Sequence, residues 1–476
     1  MDTSTKVLDS TSGLQISQVK PSVLYNGRKA SLSLDIVVVG CGLGGLTAAF
    51  CLTHAGHKVT ILESAPEIGE IGAGIQVSPN VTRLLIRWGL GERLKDVTVK
   101  PLALTLRRWK DNQSVAWTKW GNTMDEEFGS PYYHVHRADF HRMVFDLALP
   151  HTTIRTNSRV VSVDPSKPSV TLESGEVVYA DLIIGADGVK SLTREYVVGG
   201  PDKPTPTGDA AYRATIPTPL LVKDPDLKHL VDNPEMVGWM GPGRHIMAYN
   251  IRAMKEYNLV IVHPDEGAVE SWTAEGNADK MRADFEGWND CVRKLLALIP
   301  TTHDWKLMDR SPLDTWVHKE GKLVLLGDSC HPMLPYRAQG SAMAIEDAAV
   351  IGNLFSHISH RSQIAPLLYA YQSIRYARAT ETQASSRLNQ KIFHLPDGPE
   401  QEQRDEQMRA AMETALAESR GESVTQTVNT ALLGNANQWA DKTKNEIQFG
   451  YDADAEADKW WQEYGHTIVN AGKSRM

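Results

Sequence analysis

Four cysteines in 476 residues, Cys41, Cys51, Cys291 and Cys330, are too few and too scattered for a disulfide framework or for the paired spacing of a zinc site. Their scarcity suits a reducing compartment. No metal site is expected. No apolar run approaches the roughly 20 residues needed to span a bilayer. The first residues also lack a basic-then-apolar leader, so a cytoplasmic protein without a membrane partner is expected. Excess positive charge is missing too. Lys and Arg total 50 against 58 Asp and Glu, for a net charge of −8. With no basic stripe, nucleic acid is excluded as a main partner. Phenylalanine is sparse, at 8 against 12 Trp, so indoles supply part of the aromatic core and a few are expected to wall a pocket. Apolar content of 41% and charged content of 23% are ordinary, and the length allows two or three domains.

The chain does contain glycine where it matters. A strand at Leu34–Val39 runs into Gly40-Cys41-Gly42-Leu43-Gly44-Gly45, a helix follows over Leu46–His54, and a second strand, Lys58–Leu62, ends at Glu63. In this order Gly40 permits a tight turn, Gly42 lets backbone approach a pyrophosphate, and Gly45 lets the helix pack on the strand. The helix N-terminus offers unpaired N–H groups to phosphate. Glu63 sits near the spacing expected of an acid that grips a ribose hydroxyl. Glycines, strands, helix and acid in register imply a dinucleotide.

Further along, Ser78–Trp88 reads as a helix with Ser78 at its N-cap and Pro79 in the first turn. A helix is expected at His136–Leu149, a meander at Arg155–Tyr179, and a buried strand at Asp181–Gly185. Alternating stretches at Ala210–Ile216, Met236–Met240, His245–Ile251 and Tyr257–His263 predict an antiparallel sheet in a separate layer. A helical segment spans 279–299, and Leu323–Leu326 is another buried strand. The fold class is α/β: a Rossmann-like nucleotide domain interleaved with an antiparallel-sheet substrate domain, plus a helical C-terminal region. The expected boundaries are a mobile arm at 1–33, nucleotide-domain parts at 34–105, 135–200 and 311–395, substrate-domain parts at 106–134 and 201–310, and a helical tail at 396–476.

Three later elements converge on the same ligand. Arg137 opens a helix in His136-Arg137-Ala138-Asp139. Asp187-Gly188 follows a buried strand inside GADGVKSLTR. Gly327-Asp328 follows another inside GDSCHPMLPYRAQGSAMAIEDA, where Gly340 opens a helix. His331 in that loop reads as a structural hydrogen-bonding residue rather than a base.

With these motifs in this order, the chain resembles the single-component FAD-dependent aromatic hydroxylases, the family of para-hydroxybenzoate and salicylate hydroxylases, and is most similar to fungal salicylate-hydroxylase-like monooxygenases. The likeness covers about 34–395. It implies FAD as cofactor and NADPH or NADH as a transient donor bound in a surface cleft. O2 would give one oxygen atom to a phenolic or carboxylated aromatic through a flavin C4a-hydroperoxide. It also implies site roles. Gly40, Gly42, Gly45 and Glu63 would hold the ADP half, and Arg137 would lie along the FAD. Asp187 would serve FAD and the donor, and Asp328 the ribityl-phosphate region. Pro335, Gly340, Ser341, Ala342 and Met343 would line the isoalloxazine. The loop Gly72–Gln76, with Gly74, would lie beneath the ring and let it shift. In such enzymes an Arg or Tyr of the second sheet reaches the substrate. Tyr212 and Arg213 must point to opposite faces, and Arg213 is the one expected in the pocket. Tyr249, sharing a face with His245, is the second catalytic candidate. Trp239 and Met240 are expected mainly in the core. A monomer or homodimer is expected. A flavin oxidase or dehydrogenase, a nicotinamide-only dehydrogenase and a non-catalytic nucleotide-sensing scaffold remain open at this stage.

Overall fold

The computed structural model describes residues 6–8, 23–69, 73–268, 275–422 and 436–473. Valine-rich strands build the first layer. Its order is Lys6–Leu8, Thr153–Thr156, Lys58–Leu62, Asp35–Val39, Leu182–Gly185, Leu323–Leu325. The last five run parallel and the first pairs antiparallel. Strand alternation sends Ile36 and Val38 into one core and Val37 and Val39 into another. The first core is covered by helices Leu43–His54 and Gly340–Phe355, the second by the meander Val160–Asp164, Ser169–Leu172 and Val177–Tyr179. Both faces are therefore dry, as a parallel sheet requires.

The second layer is an eight-stranded sheet built on Thr205–Pro217, Met236–Gly241, Arg244–Ile251 and Glu256–Pro264. Ala103–Arg108 and Ser114–Lys119 extend one side, Thr302–Asp309 and Glu275–Gly276 the other. It is not wholly antiparallel as expected: Met236–Gly241 runs parallel to Ala103–Arg108. The helix expected over 279–299 is two helices, Ala278–Asp284 and Asp290–Ala297. The break falls where Gly287 adopts φ 81° and Asn289 starts a new helix by accepting a hydrogen bond from Val292 N–H at 3.2 Å. Both helices pack Met281, Phe285, Val292 and Leu295 against one face of the sheet.

The two layers are stitched by a short antiparallel ladder, Gly74–Val77 with Tyr133–His136. Behind it runs the helix Ile364–Phe393, and helices Pro399–Ser419, Lys442–Phe449 and Ala453–Lys473 complete the tail. The arm expected at 1–33 needs correction where it is described. Lys6–Leu8 adds a strand to the first sheet. Leu24 and Tyr25 are buried, and Arg28 donates to Ser356 and Asn353 at 2.8 Å. Residues 1–5 and 9–22 lie outside the described residues, as do 70–72, which include Gly72 of the expected flavin-side loop. Among the described residues no helix is long and apolar enough to cross a membrane.

A buried ionic cluster locks the helical layer to the loop after the last parallel strand. Asp347 accepts from His331 Nε2 at 2.6 Å, from Arg375 Nε at 2.8 Å and from Gly327 N–H at 3.1 Å. Glu346 binds Arg375, Arg378 and Asn80. Burial by itself would raise the Asp347 carboxyl, but His331 and Arg375 outweigh it and bring it from 3.8 to about 2. Removing one partner of such a cluster strands the others without compensation. Arg375→Met is therefore expected to lower stability by about 3–5 kcal/mol in a denaturant titration. Because the native Asp347 pKa is depressed, its contribution is present above pH 3.8 and is lost as the pH falls toward about 2. The variant should lose less stability than the native chain over that window.

Candidate active site

The loops at the carboxyl ends of the parallel strands meet the open face of the second sheet around a cavity of about 370 Å³. This is where ligands gather in open α/β sheets, and the size falls within the range of small-molecule sites. One half of its wall is loop backbone: Gly42 to Gly44, Gly188, Asp328, Pro335, Gly340 and Ser341. The other half is sheet side chain, including Arg213, His245 and Tyr249.

The loop half fits a dinucleotide. Gly40 takes φ 104°, and a Cβ there would lie 2.4 Å from the Ala186 oxygen. A Cβ at Gly45 would lie 2.1 Å from the Gly40 oxygen, so the helix seats only without a side chain. At Gly42 a Cβ would meet nothing within 4 Å, which leaves an open backbone cradle at the start of the helix. His141 braces this loop from behind, its Nε2 2.8 Å from the Cys41 oxygen. Arg137 lines the cavity; on the same helix Asp139 pairs with Arg252, and Asp146 with Arg93 and Arg142. Asp328 is exposed toward the cavity; burial by the surrounding protein raises its pKa, with His331 and Arg137 opposing. Pro335, Gly340 and Ser341 complete this side.

Some expected residues face elsewhere. Asp187 is not in the wall. Its carboxylate accepts from Ser191 Oγ at 2.6 Å and from Thr193 N–H at 2.9 Å and Oγ1 at 2.6 Å, so it organises the turn into the helix Thr193–Val198. The neighbouring Ala186, Gly188, Val189 and Lys190 reach the cavity instead. Glu63 also stands outside the wall; it accepts from the Cys41 N–H at 2.9 Å and ties the second strand to the glycine loop. Ala342 and Met343 are buried on the far side of the helix, with the Met343 sulfur 3.4 Å from Arg375 Nη2, and Ala344 lines the cavity in their place.

On the sheet half, alternation separates the neighbours as expected. Tyr212 turns to the other core, donating to Asp284 at 2.9 Å and stacking on His263. Arg213 faces the cavity with its guanidinium carbon 3.7 Å from the centre of the Trp305 ring, which also lines it. Tyr249 and His245 share that face. Trp239 lies in the core with its Nε1 donating to Asn112, and Met240 is core too. Tyr249 packs against the loop end of the bridging ladder. A Cβ on Gly74 would come within 2.6 Å of its ring, and the Gly74 N–H donates to Asn258 at 2.6 Å. Burial pushes the Tyr249 phenol above its ordinary 10.0, while Arg213 and a hydrogen bond with Gln76 pull it down. Tyr249 therefore stays a neutral hydroxyl near pH 7.

Gln76, in the loop expected beneath the ring, accepts from Tyr132 at 2.6 Å and lines the cavity beside Tyr249. Other wall residues were not read from the sequence. Tyr336 and Phe393 come from the loop and helix behind it, and Trp439 from the tail. The tail is fastened in part through its backbone. Arg83 and Arg378 donate to carbonyls of residues 447–451, and Asn445 donates to the Trp439 carbonyl at 2.7 Å. The tryptophans in this stretch were visible in the sequence, but which of them reaches a pocket depends on the tertiary path.

Residues 33–386 match the family described as FAD binding domain. The FAD-dependent monooxygenase OpS4 of Beauveria bassiana is 38% identical over 432 residues, covering 89% of this chain and 96% of that protein. The 3-amino-4-hydroxybenzoate 2-monooxygenase PtmB3 of Streptomyces platensis is 36% identical over 380 residues, covering 79% of this chain and 92% of its own. A solved salicylate hydroxylase substrate complex shares the fold with a TM-score of 0.70 at 25% identity, over 90% of this chain and 98% of that one. The glycine cradle, the second-sheet chamber and these likenesses together place the chain in the FAD-binding-domain family, as an FAD-dependent aromatic monooxygenase.

Proposed function

We propose that this chain hydroxylates a phenolic or carboxylated aromatic, consuming NAD(P)H and O2, with a salicylate-like acid as the substrate class. The observation that carries the reading is Arg213. It is a guanidinium braced on Trp305 inside a largely apolar chamber that the cofactor loops rim on the other side. A cation placed there favours the ionised form of a phenol or a carboxylate. It also fixes a ring at a defined distance from the loops. Met236, Met247, Val260 and Val262 supply the apolar wall that keeps water out.

In this reading Gly40, Gly42, Gly45 and Glu63 hold the ADP half of FAD, with Glu63 shaping the loop from outside the cavity. Arg137 and Asp328 flank the middle of the cofactor, and Pro335, Gly340 and Ser341 border its ring. When bound, FAD supplies the electron transfer from nicotinamide and the activation of O2. Gly74, without a Cβ, leaves room for the Tyr249 ring, whose neutral hydroxyl would orient the substrate oxygen. Lys190, exposed at the cavity mouth, marks the cleft where the nicotinamide donor docks, held in place by the turn that Asp187 organises. Parts 34–105, 135–200 and 311–395 act as the cofactor unit, and 106–134 with 201–310 as the substrate unit. The protein works in the cytoplasm as a monomer or homodimer; its four cysteines are all buried thiols, in keeping with a reducing compartment.

The test is a panel of hydroxybenzoates and hydroxypyridine carboxylates, assayed for stimulated NAD(P)H oxidation with mass analysis of the product. Gain of one oxygen, with or without loss of CO2, is the expected result; peroxide alone from every compound refutes the reading. Arg213→Ala should keep its flavin yet lose about 10- to 100-fold in kcat/KM, the equivalent of about 1.5–3 kcal/mol for a hydrogen bond to a charged group. Gly74→Ala should force Tyr249 or Asn258 aside and lower coupled turnover at least about tenfold, with peroxide rising as the chamber admits water. Full coupling in that variant would show that the close approach is dispensable.

A further inference from the structure

The two ends of the chamber differ in chemistry, and the second sheet fixes their separation. Arg213 lies on the strand Thr205–Pro217, next to the strand Thr302–Asp309 whose Trp305 braces its guanidinium. Met236 opens the strand Met236–Gly241, which stands three strand spacings away, across Glu256–Pro264 and Arg244–Ile251. At the interstrand distance of a β-sheet this is about 14 Å, farther than one benzoate ring reaches. The floor between is apolar along one row: Arg213 is level with Val260, and Val260 with Met247. Next in that row comes Gly238. A Cβ there would fall 2.7 Å from the Met247 sulfur. Met247 therefore lies flat across the neighbouring strand and leaves the space above it to the cavity it lines.

Trp439 closes the far end. Two residues before it, Asn437 donates to Thr118 Oγ1 at 3.1 Å, on the outermost strand of that side, Ser114–Lys119. The tail thus enters from the edge opposite Arg213. The Trp439 indole is 4% exposed and stacks on Phe393 with ring centres 5.8 Å apart; the Arg337 guanidinium carbon is 5.0 Å from its centre. Trp439, Phe393 and Met236 all line the cavity. The charged side chains of the wall stand elsewhere. Arg213 and Lys306 belong to the two strands of the cationic end, and Arg137, Lys190 and Asp328 to the cofactor side.

We propose that the substrate is an aromatic acid carrying an apolar substituent opposite its acidic group, and that Trp439 determines how long this substituent can be. This rests on the hydroxylase reading above. Arg213 receives the carboxylate, whose two oxygens match a guanidinium. The aromatic ring then lies over Val260 and Met247, and a group para to the carboxylate is directed along the row toward Met236 and Trp439. Covering that apolar floor releases the water against it. An unsubstituted hydroxybenzoate reaches Arg213 but leaves the far end wet, so it binds more weakly and admits water to the chamber.

The probe is a series of 2-hydroxybenzoates with hydrogen, methyl, propyl, pentyl or phenyl at the ring position para to the carboxylate. Binding to the FAD-loaded enzyme is read from the perturbed flavin spectrum in the absence of NAD(P)H, so it does not depend on turnover. In the native enzyme the dissociation constant should fall about three- to fourfold per added carbon up to the propyl member, and the yield of product per NAD(P)H should rise with it. Trp439→Ala should flatten the gain from methyl to propyl and move the tightest member to pentyl or phenyl; Trp439→Phe should restore part of the native order. Met236→Phe fills the same end without touching the tail. It should weaken the propyl and phenyl members relative to methyl, and it keeps the test open if the Trp439 variants fail to load flavin. Arg213→Ala should weaken every member by a similar factor, and a reordered series there would overturn the orientation. A flat or inverted series in the native enzyme overturns the substrate class. The native order in flavin-loaded Trp439→Ala, or in Met236→Phe, overturns the assignment of the far end. A series that binds in the expected order with no oxygenated product from any member would instead refute the hydroxylase reading, a separable result.

Discussion

The ionic cluster of His331, Glu346, Asp347, Arg375 and Arg378 is the constraint on which the chamber depends. It fixes the loop 327–339 against the helices Gly340–Phe355 and Ile364–Phe393. The same loop is gripped from the opposite side by Arg194, which donates to the carbonyls of Ser329 and Cys330 and pairs with Asp202. Helix 364–393 adds Gln383 and Asn389, donating to the carbonyls of Pro332 and Tyr336. A segment containing two prolines is thereby held by its own His331 together with the charges of the neighbouring helices. Rigidity matters here because the loop forms one wall of the cofactor cavity, where a displacement of about 1 Å is felt in rate.

The chamber belongs to neither sheet. The parallel layer presents backbone, glycine by glycine, and the second layer presents Arg213, Tyr249 and His245. The ladder of Gly74–Val77 with Tyr133–His136 sets how far apart the two stand. Gly74 is the closest point, where a single added carbon would collide with Tyr249 and Asn258. The division of labour follows from this. Fixed N–H groups suit a constant cofactor, whereas side chains on a regular sheet can vary with the substrate while their spacing stays fixed.

What the sequence revealed was what it encodes locally. The glycine loop, its two strands and its helix are contiguous, so their spacing alone carried the fold of the first layer. Period-two alternation was enough to send Arg213 inward and Tyr212 outward, and to put His245 and Tyr249 on one face. The structure departs from a reading of single positions where a neighbour engages the side chain. Asp187 accepts from Ser191 and Thr193 and lies outside the cavity wall, and Met343 meets Arg375. The helix over 279–299 was interrupted by a left-handed Gly287 that overall periodicity conceals. The meeting of His245 with His394, and of His394 with Asp209, was out of reach for a different reason: these residues lie far apart in the chain, and only the packing of the long helix against the second sheet brings them together.

The tail is tied down by Arg83 and Arg378 through main-chain oxygens and by its own side chains, among them Asp452 and Asp454 on Arg87 and Gln438 on Asn389, while the Trp439 carbonyl accepts from Asn445. The main-chain anchors do not depend on which side chains residues 447–451 carry. The indole that faces the chamber is instead held by packing on Phe393 and by the Arg337 guanidinium, so exchanging it for a smaller or more polar group would retune which molecules are admitted and loosen that packing at the same time.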